Sequence, residues 1–214
     1  MLARILLDTT VFNYFGAMRS IDFYGLAVAH LPTPFYVSQE VFREANSIKF
    51  LTKYPQLGVE ILNKVQPEGN EFRLCSTYEE LLKIELDQLL DPGEAESIAQ
   101  AHAIQSALFV TDDEKAHRKF QQLRHSRKGH LVSDSFQMVS SFFLLVLLEV
   151  QGLITMVDFE NARNELYQIR RYNDRNEQKQ QVLFSGFCAD MKSAYQILGI
   201  SIESEEIEKK CQFL

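Results

Sequence analysis

The segment DPGEAESIAQAHAIQSALFVTDD, which spans residues 91–113, decides the fold of this chain. A proline and a glycine near its start indicate a turn, and the pattern that follows predicts a helix from Glu94 to about Ser106. An apolar strand is predicted next, at residues 107–111. Two carboxylates stand in the first turn of the helix, and two more follow the strand directly. A short, continuously apolar strand that alternates with helices is typical of a parallel sheet covered on both faces.

The same alternation extends to about residue 150. Apolar runs that predict strands lie at residues 3–8, 34–38, 72–75, 107–111 and 129–133, and each is followed by a predicted helix. The helix after the last run, at residues 135–149, is long and apolar enough to be buried. We therefore expect an α/β fold, a three-layer α/β/α sandwich with a sheet of four or five mostly parallel strands.

Beyond Gly152 the sequence predicts only helices, at residues 158–172, 182–198 and 203–210. The composition changes near residue 173, where a polar stretch separates the first of these helices from the other two. We predict a first domain at residues 1–155 and a helical C-terminal extension at residues 156–214.

The composition is that of a globular protein, with 46% hydrophobic and 24% charged residues in a chain of 214. The net charge of -7 argues against a protein that binds nucleic acid through its overall charge, but it is compatible with a local basic segment. The three cysteines lack metal-binding spacing, which predicts reduced thiols and a cytoplasmic location. The longest apolar run, residues 142–148, is far shorter than the ~20 residues of a membrane span, so no membrane partner is expected.

Acidic side chains follow the predicted strands or begin the helices after them. They are Asp8, Glu44, Glu94, Glu96, Asp112 and Asp113. The carboxyl ends of parallel strands lie at one edge of a sheet, so we expect the fold to bring these side chains together. Several carboxylates at one edge repel each other unless a cation lies among them, and oxygen ligands without cysteine or histidine indicate Mg²⁺ or Mn²⁺. Such a site predicts the hydrolysis of phosphodiester bonds.

Each of these acids also has a structural interpretation. An aspartate after a strand can form a turn or cap the next helix, and a glutamate in the first turn of a helix favours the positive end of the helix dipole. A lone acid such as Glu44 is most often a solvated helix residue. The functional interpretation rests on the whole set and on its order along the chain.

Four short segments in this order resemble those of a PIN-domain ribonuclease of the VapC toxin type. They hold the opening strand with the first acid, the second acid on its helix, the turn before the third acid, and the strand before the fourth. In this chain they are residues 6–12, 37–45, 93–99 and 110–113. The resemblance covers residues 3–155. It implies a sheet of four or five parallel strands, Mg²⁺ or Mn²⁺ as the cofactor, and the cleavage of RNA.

The resemblance also implies a set of catalytic acids, which are Asp8, Glu44, Glu96 and Asp113. Glu94 and Asp112 fit the third and fourth segments as well, so all six acids are candidate metal ligands. Asp134 is expected at the end of the last strand as a further candidate ligand or as the cap of the next helix. Toxins of this family are held inactive by an antitoxin and commonly pair, so the resemblance implies an antitoxin protein and a homodimer as partners.

A basic segment follows the fourth acidic segment directly. Residues 115–130 contain no acid, and their cations are Lys115, Arg118, Lys119, Arg124, Arg127 and Lys128. An acidic protein with one basic segment beside its predicted metal site suits the binding of an RNA backbone, although a solvated helix face produces the same pattern. These six cations, together with Thr10 near the first acid, are the predicted nucleic-acid-binding residues.

Two other functions are compatible with the sequence. A PIN-like fold without turnover would bind RNA or a protein, and its helical extension would then be the functional part. A phosphatase of the haloacid-dehalogenase type also begins with an aspartate at a strand end, but it needs a second aspartate two residues later, where Thr10 stands. Metal-dependent cleavage of single-stranded RNA distinguishes a nuclease from a binding module.

Overall fold

The computed structural model describes residues 4–31, 33–53, 61–106, 108–126, 129–133 and 136–171. Within these residues, six strands form one parallel sheet, and helices pack against both of its faces. The expected three-layer α/β/α sandwich is confirmed, with six strands in place of the predicted four or five.

The strands are short and all parallel. Their bounds are β1 Ile5–Leu7, β2 Phe35–Val37, β3 Val65–Gln66, β4 Phe72–Leu74, β5 Leu108–Val110 and β6 Gln137–Val139. The order across the sheet is β3-β4-β2-β1-β5-β6. Because β1 lies between β2 and β5, the direction in which the chain adds strands reverses at β1. In an open parallel sheet, ligands bind at the carboxyl ends of the strands beside such a reversal.

Helices connect the strands and begin at the residue types that stabilise helix starts. In the described residues they are α1 Thr9–Ala17, α2 Phe23–His30, α3 Gln39–Ala45, α4 Ile48–Lys53, α5 Glu80–Asp87, α6 Pro92–Ala103, α7 Glu114–Arg124, α8 Ser141–Val150 and α9 Met156–Arg171. Two of these helix starts have side-chain caps, since Asp22 accepts a hydrogen bond from the Gly25 N–H and Ser38 accepts one from the Val41 N–H. Each cap satisfies a donor that the first turn of a helix leaves without a partner.

The strands bury alternate side chains on the two faces of the sheet, as the two-residue period of a strand requires. Ile5 and Leu7 pack into one core with α1, α2, α3, α8 and α9. Leu6 packs into a second core with α5, α6 and α7. Because both faces are covered, the central strands β1, β2 and β5 are apolar throughout.

The central strands end level with one another at their carboxyl ends. Leu7 pairs with Val37 on one side and with Val110 on the other, and Val110 pairs with Val139. The residues that follow these strands therefore form a row along one edge of the sheet, which we call the carboxyl edge. Across the sheet this row is Cys75, Ser38, Asp8, Thr111 and Ser140.

The predicted last strand at residues 129–133 is wrong. That segment contains one turn of 3-10 helix at Gly129–Leu131, and β6 lies instead at the start of the range predicted to be helix 135–149. Gln137, Ser140 and Ser141 interrupt the apolar residues between Phe136 and Phe142, but so short an apolar run as this does not distinguish a strand from a helix. Serines consequently follow the last strand, where an acid was expected.

Several predicted features lie outside the described residues. They are Asp134 and the helices predicted at residues 182–198 and 203–210.

Helix α8 is buried along almost its whole length, as its uninterrupted apolar sequence predicts. Helix α9 packs against α1 and α8 and adds Phe159, Ala162 and Leu166 to the same core. Residues 156–171, the first part of the predicted extension, therefore share the core of the sheet. Within the described ranges, no helix is long and apolar enough to cross a membrane.

Candidate functional site

Asp8 directly follows β1, the strand at which the direction of strand addition reverses. Its backbone N–H donates to the Val110 carbonyl oxygen at 2.9 Å, which fixes the residue beside β5. Its Oδ2 atom accepts hydrogen bonds from the Thr10 hydroxyl at 2.9 Å and from the Thr111 hydroxyl at 2.8 Å. Burial raises the pKa of Asp8, and these hydrogen bonds offset only part of that increase. The carboxylate is thus buried and held in one orientation.

Glu44 reaches the same edge from α3, the helix that follows β2. The Thr9 hydroxyl donates to its Oε2 atom at 2.8 Å. Burial is the main cause that raises the pKa of Glu44, and the negative charge of Asp8 increases it further. A Cβ atom at Gly93 would lie 3.7 Å from Glu44 Oε1, so the start of α6 runs alongside this carboxylate.

Glu94 lies in the first turn of α6 and is only 8% exposed. Its Oε2 atom accepts a hydrogen bond from the Asp91 backbone N–H at 3.1 Å, which stabilises the helix start. Burial raises the pKa of Glu94 to about 7, and the negative charges of Asp113, Asp91 and Asp8 contribute to the increase. The third acidic segment, residues 93–99, and the fourth, residues 110–113, therefore meet beside Asp8 in the first.

Glu96 is as buried as Glu94 but has different partners. Its Oε1 atom accepts hydrogen bonds from the Glu40 backbone N–H and from the Gln100 side chain, both at 3.2 Å. The carboxylate thereby joins α6 to the first turn of α3. Residues two positions apart on a helix point in different directions, and Glu94 is the one that faces the charges of the other acids.

The two aspartates after β5 also have different partners. Asp112 is 7% exposed, and its carboxylate accepts hydrogen bonds from the Ser141 N–H at 3.1 Å and from the Ser141 hydroxyl at the start of α8. Asp113 is exposed, caps α7 by accepting from the Ala116 N–H at 2.9 Å, and raises the pKa of Glu94 through its charge. The Asp112 carboxylate therefore stabilises the start of α8. The Asp113 carboxylate caps α7 and also lies near the other acids.

Four of the six predicted acids thus lie near one another at the carboxyl edge, and they are Asp8, Glu44, Glu94 and Asp113. In the part of the chain that the structure describes, no three His, Cys, Asp or Glu side chains are grouped so that they could hold a metal ion by themselves. Mg²⁺ does not need such a cage, since it keeps several waters and usually binds one or two carboxylates together with substrate phosphates. The oxygen-only donor set fits such an ion.

Four of the predicted nucleic-acid-binding cations lie on α7, which begins beside Asp113, and three of them are in its first two turns. Lys115 Nζ is 3.1 Å from both carboxylate oxygens of Asp91, and Lys119 Nζ is 3.8 Å from one of them. Arg118 is exposed on the same helix. These three residues therefore place positive charge beside the acids. Two of the charges, those of Lys115 and Lys119, are paired with Asp91, which lies outside the basic segment.

Arg124 lies at the far end of α7, about 14 Å along the helix from Lys115. It donates to Gln137 Oε1 at 3.1 Å and lies over the Phe120 ring. Gln137 is the first residue of β6, so Arg124 lies at the amino end of the sheet. It does not lie beside the acids, where it was expected from the sequence. The remaining predicted cations, Arg127 and Lys128, lie outside the described residues.

The sequence interpretation did not identify the hydroxyl groups that hold the acids. Thr111 and Thr9 donate to Asp8 and Glu44, and Ser141 binds Asp112. Thr10, predicted to contact nucleic acid, donates to Asp8 and accepts from the Asp112 N–H at 3.1 Å, so its hydroxyl serves the same network. The only available signal is their position next to strand ends, where serine and threonine also occur as ordinary helix caps.

The fold and the site define a class of protein, an α/β/α sandwich with acidic side chains at the carboxyl edge of a parallel sheet. Comparison of the chain with protein-family models, with curated proteins and with solved structures finds no match. The resemblance to PIN-domain ribonucleases therefore rests on the four sequence segments.

Proposed function

We propose that the protein is a metal-dependent ribonuclease that hydrolyses phosphodiester bonds in single-stranded or structured RNA. One observation carries this proposal: Asp8, Glu44, Glu94 and Asp113 come from four separate segments and lie near one another at the carboxyl edge. Open parallel sheets bind their ligands at this edge. A concentration of negative charge costs free energy when no cation is bound, which favours a binding role over a structural one.

The cofactor would be Mg²⁺ or Mn²⁺, bound by one or two of these four carboxylates together with waters and substrate phosphates. We leave Glu96 and Asp112 out of the ligand set, because they are not among the acids whose charges act on Glu44 or Glu94. When bound, such an ion stabilises negative charge on phosphate oxygens and lowers the pKa of a bound water. Thr10 and Thr111 would orient the first carboxylate toward that ion.

Positive charge beside the acids supports RNA as the substrate. Lys115, Arg118 and Lys119 lie on the helix that starts at the carboxyl edge, where they could bind phosphates of the RNA backbone. The biological role that follows from the resemblance to VapC-type toxins is that of a toxin with a protein antitoxin, active as a homodimer. That role belongs to the same proposal.

Incubation of single-stranded RNA with the purified protein and Mn²⁺ or Mg²⁺ tests this function. We expect cleavage that excess EDTA abolishes. Glu94→Gln and Glu96→Gln are a matched pair, because the two residues share a helix and are equally buried. We expect Glu94→Gln to lower the cleavage rate more than ~100-fold and Glu96→Gln less than ~10-fold, as for a metal ligand and a supporting residue. Equal cleavage in EDTA would contradict the proposal, and a larger effect of Glu96→Gln would assign the third acid to Glu96.

A second candidate is a PIN-like module that binds RNA or a protein without turnover. An exposed apolar stripe on α5 favours this candidate, since Leu81 is 77% and Ile84 is 58% exposed. Exposed apolar patches mark protein contacts, and Glu80 and Asp87 border this one, so it suits a partner with apolar side chains flanked by lysine or arginine. Binding of RNA or protein in the absence of any metal-dependent cleavage would select this candidate.

The variant Thr111→Val tests how the site holds its first acid. Valine has a similar shape but lacks the hydroxyl that donates to Asp8, so we expect a cleavage rate about 10- to 100-fold lower. The Thr111 hydroxyl also accepts a hydrogen bond from the Asp113 N–H at 3.2 Å, so two hydrogen bonds are lost and the loss of stability should be ~1–3 kcal/mol. Single-turnover cleavage and thermal unfolding measure the two effects.

The matched control for Thr111→Val is Thr155→Val. The Thr155 hydroxyl donates to Asp158 at 2.7 Å at the start of α9, so the same Thr–Asp hydrogen bond is lost away from the carboxyl edge. This control should cleave at the wild-type rate. A wild-type rate for Thr111→Val as well would show that its hydroxyl does not position Asp8 for catalysis.

A further inference from the structure

Two lysines of α7 converge on a single carboxylate next to the acids. Lys115 Nζ lies 3.1 Å from both oxygens of Asp91, and Lys119 Nζ lies 3.8 Å from one of them. The lysines are four residues apart and therefore share one face of the helix. Asp91 stands directly before α6, and its backbone N–H donates to Glu94 Oε2 at 3.1 Å. The three side chains thus form a cluster that adjoins the carboxyl edge.

The ion pairs within this cluster are open to exchange. The side chains of Lys115 and Asp91 are 52% and 54% exposed, and that of Lys119 is 27% exposed. Exposed ion pairs contribute little to stability, so separating them costs little. Within the cluster, one carboxylate stands between two ammonium groups, so the net charge of the three side chains is positive, and the negative charges of Glu94 and Asp113 also act on Lys115. A phosphodiester has the same charge as a carboxylate and accepts hydrogen bonds from the same donors.

We propose that Lys115 and Lys119 form a phosphate-binding subsite for a nucleic-acid backbone, and that Asp91 occupies this subsite when no nucleic acid is bound. The subsite rests on the proposed function, because it would bind a backbone phosphate beside the one that is cleaved. On binding, the phosphate replaces the Asp91 carboxylate between the two ammonium groups. Asp91 is then a competing anion that lowers the affinity for nucleic acid.

The variant Asp91→Asn removes the competing charge and keeps a residue that caps a helix as well as aspartate does. Binding of a fluorescent single-stranded RNA is measured in EDTA at several salt concentrations, so that cleavage does not enter the result. We expect Asp91→Asn to bind about threefold more tightly, which corresponds to the loss of one exposed ion pair. The double variant Lys115→Gln, Lys119→Gln should bind at least about threefold more weakly. Its slope of log affinity against log salt should be smaller by ~0.7, the value for one single-strand phosphate contact.

Glu71→Gln is the matched control, because Glu71 forms an ion pair with Lys64 at 3.1 Å just before β4, at the amino end of the sheet and away from the carboxyl edge. Its affinity should equal that of the wild type. Asp91→Asn added to the double lysine variant should not tighten binding, because the subsite is already lost. Tightening in that background, or no tightening from Asp91→Asn alone, would overturn the subsite.

The two proposals fail separately. If the lysine and Asp91 variants change binding as expected but no metal-dependent cleavage occurs, the subsite stands and the ribonuclease does not. If cleavage occurs and the variants leave binding unchanged, the ribonuclease stands and the subsite does not. Thermal unfolding of each variant checks that the fold is retained.

Discussion

The variant Asp8→Asn is expected to lose more than ~100-fold of the metal-dependent cleavage rate while it keeps its fold. Asparagine has nearly the shape of aspartate, and its amide oxygen accepts the hydrogen bonds from Thr10 and Thr111. The variant loses the negative charge of Asp8. This residue follows β1, where the strand order reverses and the other acids converge. Because burial raises the pKa of Asp8, removal of this buried charge should not destabilise the metal-free protein.

Single-turnover cleavage of a defined RNA in Mn²⁺ measures this effect, and thermal unfolding in EDTA reports on the fold. Asp22→Asn is the matched control, because Asp22 caps α2 through a 2.9 Å hydrogen bond from the Gly25 N–H and asparagine caps equally well. The control should cleave at the wild-type rate. An undiminished rate for Asp8→Asn would exclude Asp8 from the catalytic site and remove the main support for the ribonuclease.

The metal-free protein is expected to lose stability as the pH rises from about 4.5 to about 7. Glu94 has a pKa of about 7 in the folded protein, against an ordinary value of 4.5. Within this window the folded state retains a proton that the unfolded state has released, so the free energy of unfolding falls with rising pH. One pKa unit corresponds to ~1.4 kcal/mol, and we expect a loss on the order of 2 kcal/mol because solvent screens part of the effect. The pKa values of Asp8 and Glu44 are also raised, so their contributions have the same sign.

Urea denaturation in EDTA at about pH 5 and about pH 7.5 measures this loss. Glu94→Gln should lose less stability over the same range, since its side chain does not titrate. Mn²⁺ should restore stability at the higher pH, because a ligand that binds only the folded state contributes ~2.7 kcal/mol at a hundredfold excess over its Kd. The same pH dependence in the wild type and in Glu94→Gln would contradict the raised pKa of Glu94.

The architecture could be predicted from the sequence because it depends on local patterns. Short apolar runs alternate with helices, and caps such as Asp22 and Ser38 mark where helices begin. The last strand could not be predicted, because its three residues, Gln137–Val139, are too few to show the period of a strand or of a helix. The pairing of Val110 with Val139 is what makes that segment a strand.

The site could be predicted as a set of acids but not residue by residue. The sequence interpretation placed Glu96 among the catalytic acids, although spacing does not separate it from Glu94. The partner that separates them is the Glu40 N–H, 56 residues away along the chain. In the same way the Ser141 N–H, 29 residues after Asp112, engages that aspartate and leaves Asp113 at the edge. Helix packing, and not local sequence, assigns these partners.

The sequence by itself determined the class of fold and an oxygen-rich edge, since both depend on the period of the apolar residues and on which side chains follow the strands. Only the tertiary structure decided which carboxylates meet there, that Arg124 lies at the other end of the sheet, and that Asp91 pairs with two lysines. The physical reason is that strand register and helix packing join segments that are distant along the chain. Several of the carboxylates then have a hydrogen-bond or ion-pair partner that is distant along the chain, so no local sequence pattern identifies that partner.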